Sequence, residues 1–235
     1  MLDRIQHEMI FKKVLRDIYQ NNNLQAKIAF KGGTCLYMFH KLDRFSTDLD
    51  FNIIEDDFDP EEITKILKTY LKIEEYNKRY TYFWLGSYEK GKQKIKLEMS
   101  KRDYPDSYVN VDFYGLTIPT LSKSCMFAHK LCAITDRKKV VNRDLYDSYF
   151  MFKNNFEINE EIIKLRTNKS LKEYMKFLIY FIKEKVNPHD VLQGLGELVD
   201  NKQKDWIKAK LLNELIFNLQ LYIESKALYP PTFRQ

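Results

Sequence analysis

Lys31-Gly32-Gly33-Thr34 and, a short way on, Arg44-Phe45-Ser46-Thr47-Asp48-Leu49-Asp50-Phe51 are the two strings on which the reading of this chain turns. On a β-strand, residues i and i+2 share a face, so Asp48 and Asp50 point one way while Leu49 and Phe51 point into a core. Two carboxylates held side by side repel each other unless a cation lies between them. A magnesium ion held by one or two carboxylates is completed by substrate phosphates and water. The Gly-Gly-Thr turn opens a helix, and the bare N–H groups of a helix start suit a phosphate tail. Taken alone, an Asp-x-Asp is a pair of solvated acids, and a Gly-Gly is a turn that needs glycine torsions. Their order and polarity together point to metal-dependent chemistry on a nucleotide.

The surrounding sequence supplies the frame. A short strand is expected over Leu24–Phe30, then the glycine break, a helix over Thr34–Lys41 carrying Leu36, Met38 and Phe39, and a second strand over Asp48–Ile54. Upstream, Ile10, Val14, Leu15 and Ile18 form one helical stripe within residues 9–20. Downstream, Asp59-Pro60-Glu61-Glu62 reads as a helix start, leading to Ile63, Ile66, Leu67 and Leu71. Arg79–Tyr88 is aromatic and β-prone, Gly91 marks a turn, and Lys94–Met99 alternates strictly, which predicts a hairpin. Tyr108–Tyr114 is a further strand candidate. From Thr120 on, the pattern is helical: Leu121–Thr135, Asn142–Lys153, Ile158–Leu165, Leu171–Glu184, His189–Val199 and Trp206–Ser225. Strands first and helices after predict an α+β domain over residues 1–118 and a helical domain over 119–235, divided near Pro119.

Composition is that of a globular protein: 235 residues, 44% hydrophobic and 31% charged, with only seven Gly and six Pro to interrupt helices. The net charge of +6 is moderate. Basic runs at Lys90–Lys96 and Arg137–Lys139 read as solvated faces unless they surround the acidic site. Cys35, Cys125 and Cys132 lack zinc-site spacing and are expected as buried thiols in a reducing compartment. There is no leader-like N-terminus and no uninterrupted apolar span, so a cytoplasmic protein with no membrane partner is expected.

Two further groups bear on chemistry. Glu98 lies on the polar face of its strand with Lys94 and Lys96, and is the candidate third carboxylate; Asp112 competes for that role. Asp48, Asp50 and Glu98 could hold two metal ions, one activating a hydroxyl and the other stabilising a leaving pyrophosphate, with Glu98 also a candidate general base. The plainer alternative is a surface Glu paired with lysines. The second group is Lys130, Arg137 and Arg143-Asp144-Leu145-Tyr146-Asp147. Lys130 and Arg137 could grip triphosphate oxygens while Asp144 or Asp147 orients them. The alternative is a salt-bridge network between two helices.

The strings Phe30–Thr34, Arg44–Phe51 and Lys130–Asp147 resemble those of abortive-infection nucleotidyltransferase toxins of the AbiEii/AbiGii type, within the DNA polymerase β-like nucleotidyltransferase superfamily. The resemblance implies a mixed sheet flanked by helices and followed by a helical C-terminal domain. It implies Mg²⁺-dependent transfer of a nucleotide from an NTP (Mn²⁺ being the alternative ion), with pyrophosphate leaving. Some relatives add nucleotides to the 3′ end of tRNA and so block translation, and a separate antitoxin neutralises them. Carried over by position, Asp48, Asp50 and Glu98 are metal ligands, and Lys31, Gly32, Gly33, Thr34, Arg44 and Ser46 face the nucleotide. Lys130 becomes the basic residue that helps hold it, beside Arg137, and Asp144 the acid of the later motif. Two other functions share these residues: a transferase that modifies a protein or small molecule, and a non-catalytic module that binds NTP or RNA.

Overall fold

The computed structural model describes residues 2–55, 57, 59–77, 81–89 and 94–228. The chain forms two compact units, Met1–Ser122 and Lys123–Gln235.

The first unit is built on one mixed sheet of seven strands: β1 (Ile28–Lys31), β2 (Asp48–Ile53), β3 (Lys72–Asn77), β4 (Thr81–Ser87), β5 (Ile95–Ser100), β6 (Tyr108–Phe113) and β7 (Leu116–Leu121), ordered β3-β4-β5-β2-β1-β7-β6. β2 runs antiparallel to β1 and parallel to β5. Leu49, Phe51, Leu97 and Met99 are all buried, as the alternation of apolar and polar residues requires of one covered face. Three helices flank the sheet: α1 (Arg4–Gln20), α2 (Gly32–His40) and α3 (Pro60–Tyr70). Asp3 caps α1 by accepting from the Gln6 N–H, and Asp59 caps α3 by accepting from that of Glu61. α1 packs on β7 and α3. Trp84, 1% exposed, donates its indole N–H to the Thr64 hydroxyl at 3.0 Å, fixing β4 to α3.

The second unit is helical: α4 (Lys123–Asp136), α5 (Asn142–Lys153), α6 (Glu160–Thr167), α7 (Leu171–Lys185) and α8 (Asn201–Leu228). α8 buries Ile207, Leu211, Leu215 and Leu219 at four-residue spacing, packing on α5 and α7. A capping box at Ser170 and Glu173 starts α7. Cys125 and Cys132 are free and buried along α4, as is Cys35 in the first unit.

Three segments depart from the expectation. β3 was not anticipated: it follows α3 directly, with no turn residues between, and its sequence Lys-Ile-Glu-Glu-Tyr-Asn is that of a charged edge strand. Ile118-Pro119-Thr120, expected to mark the boundary, lies inside β7, and Pro119 stands opposite Asn110 of β6. The expected helix over His189–Val199 is a short 3-10 turn at Pro188–Asp190 followed by further turns. Gly194 there has φ +74°, outside helical range, and the Asn142 amide pins the segment by donating to the Asp190 and Gln193 carbonyls. The turn expected at Gly91 lies outside the described residues.

Candidate active site

The corner where β1 ends, α2 begins and β2 runs alongside is built by glycine. Gly32 has φ +81°, a backbone geometry that disfavours any side chain, and a Cβ there would fall 2.5 Å from Asp50 Oδ2. The carboxylate of Asp50 therefore lies directly against the backbone of the turn. A Cβ on Gly33 would fall 2.8 Å from Arg44 Nη2 and 2.9 Å from Ser46 Oγ. Asp50, Arg44 and Ser46 thus gather around Gly32 and Gly33. The N-cap of α2, Lys31, makes no side-chain hydrogen bond to the first turn, which is the condition under which helix-start N–H groups serve a phosphate. Thr34 also braces the turn through its side chain. It is fully buried and its hydroxyl donates to the backbone carbonyl of Asp48, so it ties α2 to the start of β2.

Asp48 and Asp50 share the polar face of β2. Across the parallel β2–β5 ladder Asp48 is paired with Lys96 and Asp50 with Glu98, which brings Glu98 beside the first two acids. Among the described residues no three His, Cys, Asp or Glu side chains form a ready-made metal cage. Lys96 instead lies among the acids, its ammonium 3.4 Å from Glu98 Oε2 and 3.8 Å from Asp48 Oδ2. Burial works against the Lys96 charge, but Asp50, Asp48 and Glu98 outweigh it and raise its pKa. A cluster of carboxylate oxygens already drawing a cation has the chemistry of a hard divalent ion site, and Asp48 and Asp50 could provide the one or two carboxylates that magnesium commonly takes from protein.

The same face continues with residues that sequence reasoning did not single out. Asn52, two positions beyond Asp50, donates to Asp106 Oδ2 at 2.7 Å and to the Tyr108 hydroxyl at 3.3 Å. Its amide oxygen accepts from Lys31, which stands opposite Asp50 in the β1–β2 ladder. Burial lowers the Lys31 pKa, against the pull of Asp50, Asp106 and Glu98. Period-2 spacing from Asp48 and Asp50 would have indicated Asn52; Asp106 lies in a loop and left no such signal. Asp112, considered as an alternative third acid, is on β6, separated from β2 by β1 and β7. At roughly 4.8 Å per strand that is about 14 Å, and Asp112 borders a different groove with Glu8 and Lys12. It is not part of this cluster.

The approach to β2 is itself buried and held in place. Arg44 and Ser46 are buried at 2% and 4% exposure, and the Arg44 guanidinium donates to the Phe45 carbonyl at 2.9 Å. His7 of α1 is fully buried against Phe11, Phe45 and Tyr88, with Nε2 3.1 Å from the Thr47 carbonyl. Burial lowers its pKa, so the neutral ring donates from Nε2 and fixes the residue just before Asp48.

In the second unit, Lys130 on α4 lies 2.9 Å from both Asp144 Oδ1 and Asp147 Oδ2 on α5. Arg137, just past the end of α4, is 3.5 Å from Asp144 Oδ2. The expected pairing of Lys130 and Arg137 with these acids is thus made, as an interhelical ion network. Beside it, Arg166 of α6 meets His129 and Asp136.

Two solved structures from Helicobacter pylori share this fold. One, described as a candidate nucleotidyltransferase, has a TM-score of 0.61 at 21% identity, covering 95% of this chain and 96% of its own. The other, JHP933, has a TM-score of 0.60 at 21% identity, covering 97% of each chain. No curated protein matches in sequence. The family model of the AbiEii nucleotidyltransferase toxin of type IV toxin–antitoxin systems matches residues 13–214, which takes in the Gly-Gly turn, the acids of β2 and β5, and the Lys130–Asp147 network. The chain belongs to the AbiEii family of nucleotidyltransferase toxins.

Proposed function

We propose that this protein is a divalent-metal-dependent transferase that moves a nucleotide from an NTP to the 3′ end of RNA, with tRNA as acceptor, and so halts translation. The observation that carries this reading is the row of carboxylates Asp48, Asp50 and Glu98 on adjoining strands, against the glycine turn that opens α2. Family membership supplies the nucleotide substrate and implies an antitoxin partner. The net charge of +6 suits a phosphate-rich acceptor. Among the described residues no helix is long and apolar enough to cross a membrane.

Asp48 and Asp50 would hold Mg²⁺, with Mn²⁺ as a substitute, and Glu98 is the adjoining carboxylate. When bound, such an ion lowers the pKa of an attacking hydroxyl and offsets the charge of a leaving phosphate group. The chain itself would seat the triphosphate at the helix start behind Gly32 and Gly33, with Lys31 alongside. The terminal ribose hydroxyl forms a bond to the α-phosphorus, the α–β anhydride breaks, and pyrophosphate departs. The hydroxyl proton passes to a carboxylate of the cluster, with Glu98 as the candidate base.

The test is transfer of α-³²P from each of the four NTPs to tRNA in Mg²⁺. Label should reach the tRNA 3′ end with the native chain, and Asp48→Ala should abolish it without loss of folding. Label on an added protein or small hydroxyl compound, but not on RNA, would move the assignment to those acceptors. Tight NTP binding with no transfer to any acceptor, unchanged in Asp50→Asn, would replace the enzyme with a binding module.

A further inference from the structure

The placement of Lys96 has a consequence for how the acid cluster acquires its metal. Three carboxylates on two adjoining strands carry a repulsive field that a folded protein must relieve. Lys96 relieves it from within: it is the direct ladder partner of Asp48 and lies 3.4 Å from Glu98 on its own strand. A divalent ion bound to the same oxygens would stand within a few ångströms of the ammonium, and two cations at that separation repel. The ammonium and the ion compete for the same oxygens. Lysine suits such a role because its charge is compact and its stem flexible, so it can leave without moving the strand.

We propose that Lys96 is a tethered counter-cation, seated on the catalytic carboxylates in the metal-free protein and displaced when a divalent ion binds. The proposal rests on the transferase reading only in naming Asp48 and Asp50 as the metal's ligands. It makes metal binding a competition within the molecule. The apparent affinity is the intrinsic one reduced by the fraction of time the acids are released. A lysine seated about nine-tenths of the time weakens apparent binding about tenfold. Once displaced, the ammonium is available to the oxygens of an incoming triphosphate.

The test is Mn²⁺ titration of the full chain, without nucleotide, read by electron paramagnetic resonance of the free ion. Thermal melts with and without Mn²⁺ are run in parallel. Lys96→Met and Lys96→Gln should bind Mn²⁺ about tenfold more tightly than the native chain, equivalent to ~1.4 kcal/mol. Their metal-free melting temperatures should be lower, and the rise on adding Mn²⁺ larger. Lys96→Arg keeps the charge and should bind as the native chain does. Asp48→Ala should weaken Mn²⁺ binding in every background. Equal or weaker binding in Lys96→Met and Lys96→Gln would overturn the proposal, as would Mn²⁺ binding that none of these substitutions changes. Because the readout is metal occupancy, a failure to label tRNA leaves this result intact, and the two readings fail separately.

Discussion

Gly32→Ala tests the geometry of the site through its backbone. Gly32 has φ +81°, and an L-residue held in left-handed territory costs about 1–2 kcal/mol. The new Cβ would also lie 2.5 Å from Asp50 Oδ2, 3.1 Å from its Cγ and 3.0 Å from its Cβ. Rotating Asp50 clears the first two contacts, at a cost of about 0.5–1.5 kcal/mol for an off-rotamer side chain. It does not clear the third, because the Asp50 Cβ is fixed by a strand paired on both sides. The expected loss is ~2–3 kcal/mol, which lowers the urea midpoint by roughly 1 M or more. The activity loss should be larger, since displacing a reacting group by about 1 Å can cost 10²-fold. Gly33→Ala is the contrast. Its Cβ meets only the far ends of Arg44 and Ser46, and Ala is favoured over Gly within a helix by roughly 1 kcal/mol. That variant should keep its stability while transfer falls. Urea denaturation and label transfer on both proteins decide the matter. A Gly32→Ala protein with native midpoint and native transfer rate would refute the account of the turn.

Lys130→Met removes the cation from Asp144 and Asp147, whose side chains are 4% and 0% exposed, and should cost about 3–5 kcal/mol of stability. Adding Asp144→Asn and Asp147→Asn should recover most of that loss in urea denaturation; if the single variant melts like the native chain, the ion network does not stabilise the packing of α4 on α5. The pH dependence follows from His7, whose pKa is lowered from 6.5 by burial. The unfolded chain takes up this proton first, so the stability it contributes is whole above pH 6.5 and is lost as the pH falls from there to the lowered folded value. Urea midpoints measured through that window should fall for the native chain, and His7→Gln should flatten the decline.

What the sequence revealed and what it hid divide along a physical line. Asp48, Asp50, Gly32 and Gly33 were legible because their meaning is local: a two-residue repeat assigns a strand face, and a double glycine reports torsions that few other residues tolerate. α5 was legible over its whole length, Asn142–Lys153, for the same reason. Glu98 was legible as a residue on a polar face, but not its register against Asp50, which depends on a parallel ladder to a strand far away in sequence. β3 was hidden because an edge strand solvated on one side needs no apolar run, and β7 because Pro119 reads as a break. The 3-10 segment after Asn187 had helical periodicity, but Gly194 and the Asn142 amide settled its shape, one through torsion and the other through a contact some fifty residues back in sequence.

The lysines of the site show why residue type alone could not assign it. Lys31, Lys94 and Lys96 look alike in sequence, and a surface Glu paired with lysines was an open reading for Glu98. The fold gives each a different task. Lys94 pairs with Glu74 of β3 at the outer edge of the sheet. Lys31 is drawn inward between Asn52 and Asp50, where burial opposes its charge. Lys96 lies between Asp48 and Glu98, 3.8 Å from one and 3.4 Å from the other. Strand alternation puts Lys94, Lys96 and Glu98 on one face, so the reading of Glu98 as a lysine-paired acid and the reading of it as part of a cation site describe the same geometry. An acid kept in place by a displaceable lysine is what a site needs if it must stay folded without its metal and still accept it.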